Sequence, residues 1–520
     1  MTADAVIVGS GINALVAAAM LGRRGKRVVV LEREDRIGGC LRTDAITVPG
    51  FHHDVMATTA VLFRVGPAYA DLRADLERHG LALSDSAAPT AVLRPGGEAA
   101  ILRMDRDANA AMLDALAEGD GAAYRAAMAE VDGNAPLVFA LLGQGLWTRQ
   151  TVTLLAREAW RRGPRNLAAF IGEGLAPARA WLETSFRSET ARALFAPWVL
   201  HTGLGPDHAY SGQMARVIAY TLEAAGAPIV TGGAARLAEA FERLIREQGG
   251  IVRTGADVER VLVRDGRARG VRLAGGEEIA ARDVVASVTP TQLYRRLVES
   301  PSEATQAATA SYRYGKGNFQ LHYALKHPPL WHDPALGEVA LIHLTDGLDA
   351  VSKAAGEAER GIIPAAPTIC VSQPTALDPS RAPEGRAILW LQMPEAPRRI
   401  EGDAVGEIPV PPDGQWSEDV REAFADRVEA TLAAHVAGFR DSVIARRAYS
   451  PADLEAMNVN LVGGDPYGGH CALDQFFLWR PFKGSVNHRT EIKGLWHIGA
   501  STHPGPGLGG GSGYLAAKGL

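Results

Sequence analysis

A glycine turn between two short apolar segments is the feature that most constrains the fold. Residues 5–8 form the first apolar segment, Gly9 and Gly11 follow it, and a helical stretch leads to the second segment, residues 28–31. This order predicts a βαβ unit. Gly9 permits the tight turn, Gly11 lets the backbone approach a pyrophosphate, and the small Ala14 allows the helix to pack closely on the strand. The segment is therefore interpreted as dinucleotide-binding, and by itself it fits NAD as well as FAD.

The residues beside this turn suit two parts of a dinucleotide. Glu32 directly follows the second apolar segment, so its carboxylate can accept hydrogen bonds from a ribose and would repel a 2′-phosphate. Ile12 and Asn13 begin the helix, where backbone N–H groups attract phosphate. Arg33 is included among the predicted cofactor contacts. The alternative is that these glycines form a turn without a binding role, but the βαβ context favours dinucleotide binding.

A second glycine turn extends the prediction toward the pyrophosphate. Gly39 is the second residue of a Gly-Gly pair, and Arg42 follows three residues later. Gly39 would bring backbone close to the cofactor, and the planar guanidinium of Arg42 can donate two hydrogen bonds to a pyrophosphate. The alternative is a solvated arginine after an ordinary turn. Cys40 has no second cysteine nearby and is interpreted as a small packing residue.

The C-terminal segment has the order of a strand, a glycine loop and the start of a helix. Residues 494–500 are apolar, the loop is rich in glycine and proline, and residues 514–517 favour a helix. Bare N–H groups at the start of that helix would stabilise the negative charge that develops on a flavin ring during reduction. A flexible tail is the alternative. The predicted cofactor contacts in this segment are Gly499, Ala500, Leu508, Gly509 and Gly510.

The remaining chain predicts two domains, both discontinuous. Residues 237–245 have helical spacing, and residues 258–263, 270–273 and 283–286 have the pattern of strands. We predict an α/β fold in which a Rossmann-type domain for FAD is formed by residues 1–70, 225–295 and 460–520. A mixed α+β substrate-binding domain is expected from the insertions at residues 71–224 and 296–459.

Composition excludes several other classes of protein. The net charge is −5 and the basic residues are scattered, so nucleic acid is not an expected partner. Three cysteines without a C-x-x-C pair exclude a disulfide framework and a zinc site and fit a cytoplasmic location. No signal peptide is recognised at the start. No apolar run reaches the roughly 18 residues of a spanning helix, so any membrane contact is expected to be peripheral.

Several motifs together resemble one family, over nearly the whole chain. They are residues 6–18, the Gly-Gly turn with Arg42, the strand around Val258, residues 377–385 and 460–465, and the ending at residues 498–505. They resemble the phytoene desaturase-like flavoproteins, and most closely the bacterial carotenoid ketolases and desaturases and the animal pyridine nucleotide-disulphide oxidoreductase-domain proteins.

The resemblance implies a two-domain fold like that of the amine oxidases and the glutathione reductase relatives. FAD would lie along the first domain, with a largely apolar substrate cavity over the flavin. Val258 would hold the adenine through its backbone, and the loop from Gly499 to Gly511 would contact the isoalloxazine ring. Two positions depart from the family pattern: Ala14 replaces the commoner third glycine, and Ser501 stands where many relatives have an acid.

Catalytic residues leave a weaker signal than cofactor residues, because hydride transfer to a flavin depends chiefly on orientation. The candidates are His53 and Asp54, with the neighbouring His52, in a segment that passes near the flavin in similar proteins, and His503 in the C-terminal loop. A structural, hydrogen-bonded role is the alternative for each of them. The other histidines lack the spacing of a metal motif, and no metal is expected.

The leading hypothesis is an FAD-dependent dehydrogenase, desaturase or ketolase that acts on an apolar isoprenoid or polyene. The absence of a second glycine motif and of a redox disulfide argues against a pyridine nucleotide reductase. Oxygen, a quinone or another diffusible acceptor would then reoxidise the flavin, unless the reaction has no net redox change. The alternatives are a flavin amine oxidase of the same fold and a prenyl or lipid escort protein that has lost catalysis.

Overall fold

The structure is a computed structural model and describes residues 3–520; Met1 and Thr2, which belong to the predicted FAD-binding segment 1–70, lie outside the described residues. The strands in chain order are β1 (Ala3–Val8), β2 (Val28–Leu31), β3 (Thr43–Asp44), β4 (His53–Asp54), β5 (Leu83–Ser84), β6 (Thr90–Leu93), β7 (Ala99–Leu102), β8 (Ile229–Val230), β9 (Ile251–Arg253), β10 (Val258–Arg264), β11 (Arg267–Leu273), β12 (Glu278–Ser287), β13 (Gly317–Leu325), β14 (Leu341–Leu344), β15 (Ile362–Ile363), β16 (Ile369–Ser372), β17 (Ala387–Ala396), β18 (Gly402–Asp403), β19 (Val443–Tyr449) and β20 (Leu495–Ile498).

The α-helices are α1 (Ile12–Arg23), α2 (Val61–Arg64), α3 (Pro67–Arg78), α4 (Arg106–Leu116), α5 (Asp120–Gly143), α6 (Arg149–Gly174), α7 (Ala178–Ser185), α8 (Glu189–Phe195), α9 (Ser211–Ala225), α10 (Ala235–Glu247), α11 (Pro290–Gln292), α12 (Glu303–Ala310), α13 (Leu348–Glu359), α14 (Pro374–Leu377), α15 (Glu418–Ala433), α16 (Phe439–Ser442), α17 (Pro451–Met457) and α18 (Gly511–Gly519). Helix α6 is broken at Gly163, which has a positive φ and precedes Pro164. A 3₁₀ helix, Ala196–Thr202, follows α8.

The first sheet has the order β10-β11-β12-β1-β2-β9. A seventh strand, β20, also pairs with β12. Strands β20, β12, β1, β2 and β9 are parallel. The apolar sequence of β1 suits this central position, because a parallel sheet covered on both faces buries every side chain. Helices α1, α3, α10 and α18 pack together on one face. The predicted Rossmann-type α/β architecture is confirmed, and its strands lie within residues 3–70, 225–295 and 460–520.

The second sheet has the order β19-β13-β17-β16-β14-β6-β7. Its pairs are antiparallel except for β14 with β6. One face is an apolar core that includes Phe319, Leu391 and Phe424 of α15. The other face meets a cluster that contains Trp198 of the 3₁₀ helix and Trp390 of β17. The two faces of this sheet therefore pack against different clusters, and the face that carries Trp390 helps to form the site described below.

A buried ion pair joins the β3–β4 hairpin of the N-terminal segment to the chain that follows β16 of the second sheet. Asp54 in β4 lies 2.9 Å from Nη2 of Arg381, and both side chains are 0% exposed. Arg381 also donates from Nε to the carbonyl oxygen of His52. Since an unpaired buried charge is costly, this pair holds the β3–β4 hairpin against the segment that follows β16. No helix within residues 3–520 is long and apolar enough to cross a membrane.

Candidate active site

A cavity of about 1000 Å³ lies where the two sheets approach each other. It opens at the carboxyl ends of the parallel strands: Val8 of β1 is level with Leu31 of β2 and Ala286 of β12. This edge of a doubly wound sheet is where ligands bind in such folds. Every predicted cofactor contact except Ala14 lines the cavity. Ala14 is fully buried within α1, which agrees with the packing role expected of it.

The first glycine turn leaves room for a ligand above the backbone. Gly9 has φ +88°, and a Cβ there would lie 3.1 Å from the carbonyl oxygen of Ser287. A Cβ at Gly11 would meet no protein atom within 4 Å among the described residues. It would instead project into the cavity. Helix α1 begins directly after Gly11, so its first N–H groups are available to an anionic ligand.

The Glu32 carboxylate is held in a fixed orientation at the end of β2. The side chain is 7% exposed and lines the cavity. Ser10 donates from its hydroxyl (2.6 Å) and its N–H (3.0 Å) to Oε2, and the N–H of Glu34 donates to Oε1 (3.0 Å). Oε1 therefore has a further acceptor position, which suits a hydroxyl of a ribose. Ser10 was not predicted, although its position between the two glycines was visible in the sequence.

The second turn lies beside the first. A Cβ at Gly39 would come within 3.1 Å of Cα of Gly11, so glycine is required for this close approach. Arg42 lines the cavity but donates from Nε to Asp44 at 2.6 Å; its remaining N–H groups are the ones that could reach a pyrophosphate. Cys40 also lines the cavity, and burial raises its pKa to about 11. The thiol is therefore neutral, as expected of a packing residue.

The C-terminal loop brings a second helix to the same cavity. Helix α18 begins at Gly511 after Gly510, which has φ +69° and no side chain to cap the helix. Asn13 of α1 accepts a hydrogen bond from the N–H of Gly513 at 3.2 Å. Ser501, which departs from the family pattern, donates to the carbonyl oxygen of Gly468 at 2.6 Å. Two helix N-termini therefore face one space, which favours a ligand that carries or develops negative charge.

The catalytic candidates in the β3–β4 hairpin do not line this cavity. Among the described residues that line the cavity, neither His53 nor Asp54 occurs. Nε2 of His53 lies 2.8 Å from the Thr47 hydroxyl, and burial lowers the pKa of its ring to about 3. Asp54 pairs with Arg381 and accepts from the N–H of Ala234. Their positions favour structural roles, and the adjacent His52 is exposed.

His503 is likewise directed away from the large cavity. Its Nε2 lies 2.9 Å from the carbonyl oxygen of Gln144, just beyond α5. Burial lowers the pKa of this ring to about 4. The contact joins the C-terminal loop to the insertion that contains α5. The neighbouring small cavity, rather than the large one, is the space that His503 lines.

The far part of the cavity is lined by residues that were not predicted. They include Trp198, His201, Cys370, Trp390 and Gln392. These residues come from the 3₁₀ helix and from strands β16 and β17, which are far apart in the sequence. Within the strands, only the alternation of side chains between two faces could have indicated them. That pattern does not reveal which strands are neighbours.

One group of side chains within residues 3–520 could hold a metal ion. The ligand atoms of His201, His343 and Cys370 lie within 4.8 Å of one another. Nε2 of His201 and Nε2 of His343 are 3.0 Å apart and share a hydrogen bond, which occupies one nitrogen that a metal would need. The expectation of no metal remains a prediction.

The glycine turns, the fixed carboxylate and the two helix N-termini around one cavity define a protein that binds a dinucleotide. Residues 15–450 match the family model described as "Flavin containing amine oxidoreductase". The chain belongs to that family. It is an FAD-dependent oxidoreductase, as the motifs predicted.

Known proteins with similar sequences span almost the whole chain. Pyridine nucleotide-disulfide oxidoreductase domain-containing protein 2 of Rattus norvegicus is 28% identical, covering 99% of this chain and 92% of the rat protein. The zeta-carotene-forming phytoene desaturase of Myxococcus xanthus is also 28% identical, covering 97% of this chain and 90% of the desaturase. The solved structure of an oxidoreductase from Methanosarcina mazei has a TM-score of 0.61 at 15% identity and 99% coverage of both chains. The two sequence matches confirm the resemblance drawn from the motifs, and the structural match shows the same fold.

Proposed function

We propose that this enzyme dehydrogenates an apolar isoprenoid or polyene substrate, with desaturation as the leading reaction and ketolation as a variant. The observation that carries the proposal is the far part of the cavity, where Trp198, Leu341 and Trp390 form an uncharged wall. Each substrate CH₂ buried there contributes about 0.8 kcal/mol, so a long apolar chain is favoured over a small polar molecule. The Myxococcus xanthus relative, named as a phytoene desaturase, supports this substrate class.

The protein's own part in the reaction is to position groups and to exclude water. Bound FAD supplies the hydride acceptor. Gly11, Glu32, Arg42 and the N-terminus of α1 would hold its ADP half, and the N-terminus of α18 would stabilise negative charge near the ring. The two insertions, residues 71–224 and 296–459, would form the substrate-binding domain. Burial lowers the pKa of His201 to about 4, so this ring is neutral and the reaction depends on orientation more than on a strong base.

An amine substrate is less well supported. The carboxylates that line the cavity within residues 3–520 are those of Glu32, Glu34, Asp35 and Asp257. All of them lie near the strand ends where the ribose would bind. A protonated amine beyond the flavin would therefore lack a carboxylate partner. The retained cofactor residues also argue against an escort protein without catalysis.

The assay that tests the proposal follows product formation. Holoenzyme is incubated with an isoprenoid polyene such as phytoene and a quinone, and the products are analysed by mass spectrometry. We expect a product that has lost two hydrogens, and no oxidation of putrescine. Oxidation of the amine but not of the polyene would support the amine oxidase alternative, and tight polyene binding without product would support the escort alternative.

Oxygen or a quinone is proposed as the electron acceptor, because the sequence has only one glycine motif of the nucleotide-binding type. The three cysteines are unpaired, which supports a reducing compartment such as the cytoplasm. A quinone and a polyene are both lipid-soluble. A site that receives them would therefore benefit from contact with a membrane.

The helices α5 and α6 provide a candidate surface for such peripheral contact. Phe139 and Leu142 of α5 line the cavity, and Val152, Leu155 and Trp160 of α6 are exposed, Trp160 by 91%. Exposed arginines alternate with these apolar residues on α6. An amphipathic helix of this kind suits the surface of an anionic membrane.

Cosedimentation with vesicles tests this contact. We expect binding to phosphatidylglycerol vesicles that Trp160→Ser weakens, because the indole would lie at the lipid interface. Leu330→Ser removes an exposed apolar side chain from a different segment and serves as the control. Equal binding by both variants and the wild type would contradict a role for α6.

A further inference from the structure

A row of polar side chains crosses the cavity-facing side of the second sheet. His343 of β14 lies opposite Cys370 of β16, Cys370 opposite Gln392 of β17, and Gln392 opposite Gln320 of β13. Residues directly opposite each other point to the same face. The alternate residues of these strands, such as Leu321 and Leu391, belong to the apolar core on the other face. These four residues are called the polar row.

The 3₁₀ helix places two more groups against this row. Nε2 of His201 shares its hydrogen bond with Nε2 of His343. The Trp198 ring centroid lies 4.7 Å from that of His201 and 4.8 Å from that of His343. Trp390, two residues before Gln392 on the same face of β17, lines the same cavity. An otherwise apolar wall thus contains a concentrated set of hydrogen-bonding groups.

Several of these groups have no partner within the part of the chain that the structure describes. The Nε1 atoms of Trp198 and Trp390, Nδ1 of His343 and Oε1 of Gln320 are buried without a hydrogen bond. An indole N–H can only donate. A buried donor without a hydrogen-bond partner is energetically costly, and such groups in native proteins commonly face a ligand or ordered water.

The polar row and its neighbours are uncharged. Burial lowers the pKa of His201 to about 4 and that of His343 well below its usual value. Burial also raises the pKa of the Cys370 thiol, which keeps it protonated. The arginines that line the cavity, Arg33, Arg36, Arg42 and Arg296, lie near the strand ends on the ADP side. A carboxylate or phosphate at the polar row would therefore have no cation to pair with among the described residues that line the cavity.

We propose that the unpaired groups on this wall of the cavity, the indole N–H groups of Trp198 and Trp390 and Oε1 of Gln320, form a site for an uncharged oxygen atom of the substrate, either a carbonyl or a hydroxyl. This inference rests on the proposed function, because it adds a polar group to the apolar isoprenoid class. An indole N–H donates to the oxygen, and a hydroxyl can also donate to Oε1 of Gln320. Oxygenated isoprenoids would then be distinguished from hydrocarbons of similar length at this end of the cavity.

The test measures binding to FAD-loaded enzyme through changes in the visible flavin spectrum. The probes are farnesylacetone (a ketone), farnesol (an alcohol) and farnesene (a hydrocarbon). The quantity of interest is the affinity for each oxygenated probe divided by that for farnesene. We expect this ratio to fall about two- to tenfold in Trp390→Phe and in Trp198→Phe, as for the loss of one neutral hydrogen bond. Comparing ratios removes the differences in probe hydration.

Trp331→Phe is the matched control. The indole of Trp331 is buried but donates to Gln373 at 2.8 Å, and it is not among the described residues that line the cavity. Retention of FAD shows that each variant is folded. Gln392→Leu is a third, independent test of the site, because it removes the polar side chain of another member of the polar row. A fall with farnesylacetone alone would identify a carbonyl site, and a fall with farnesol alone a hydroxyl site.

Other outcomes would overturn the inference. Ratios that are the same in the wild type and all variants, with all probes binding, would exclude an oxygen site but leave the proposed function intact. Failure of every probe to bind would remove both. One equivalent of a transition metal that copurifies with the wild type and is lost in His343→Phe would show that His201, His343 and Cys370 form a metal site instead.

Discussion

At the scale of single residues, Glu32 is the side chain whose geometry is most closely tied to the cofactor. Three hydrogen bonds from Ser10 and Glu34 fix its carboxylate before any ligand binds. We expect Glu32→Ala to weaken FAD binding by about 1–3 kcal/mol, the range for hydrogen-bonding groups left unpaired in a buried site. Titration of apoprotein with FAD, followed by flavin fluorescence, measures the change.

Glu278→Ala is the control for this substitution. Glu278 is the first residue of β12 in the same sheet and is exposed. We expect its removal to leave FAD affinity unchanged. Equal affinities in the wild type and both variants would show that Glu32 does not contact the ribose.

Residue roles could be predicted where a turn dictates them, and not where a fold brings distant segments together. Gly9, Gly11 and Glu32 are close in sequence, so their βαβ context predicted their arrangement at the cavity. His53, Asp54 and His503 were selected by residue type and by resemblance. Nothing local indicated that Arg381, more than 300 residues from Asp54, would pair with it.

At the scale of secondary structure, the packing of α1 against α18 determines the shape of the cofactor site. A Cβ on Gly513 would lie 1.8 Å from the backbone oxygen of Asn13. Gly513→Ala must therefore push the two helices apart. We expect it to lower the free energy of unfolding by about 1–3 kcal/mol and to weaken FAD binding, because both helix N-termini would move.

Gly133→Ala is the matched control, since it adds the same methyl group to a helical glycine in α5 with no described atom within 4 Å of the new Cβ. We expect it to leave stability unchanged or to raise it slightly. Denaturant unfolding of apoprotein and FAD titration check both variants. The packing account would be wrong if Gly513→Ala behaved like Gly133→Ala.

Elements with a strong local pattern were predicted with nearly the bounds they have in the structure. The predicted strand at residues 28–31 coincides with β2, and the helix around residues 237–245 lies within α10. By contrast, the strand predicted at residues 283–286 is only the C-terminal part of β12, which begins at Glu278. The charged residues at its start obscure the pattern, because that end of the strand is partly exposed.

At the scale of the whole molecule, the chain returns twice to the first sheet, and the segments between these returns form the second sheet, which lines the other side of the cavity. The apolar segments could be predicted to join that sheet, since each is a short buried run. The order of the second sheet could not, because its strands pair across long intervals of sequence. The polar row became visible only once the pairing of β14, β16, β17 and β13 was known.

The central claim, that this site oxidises an apolar isoprenoid by hydride transfer when FAD is bound, is tested most directly by anaerobic mixing. Oxidised holoenzyme is mixed with phytoene in one experiment and with NADH in another, and the flavin absorbance is followed in a stopped-flow instrument. We expect phytoene to bleach the flavin in a single turnover and NADH to leave it oxidised. Rapid bleaching by NADH with no response to phytoene would contradict the account.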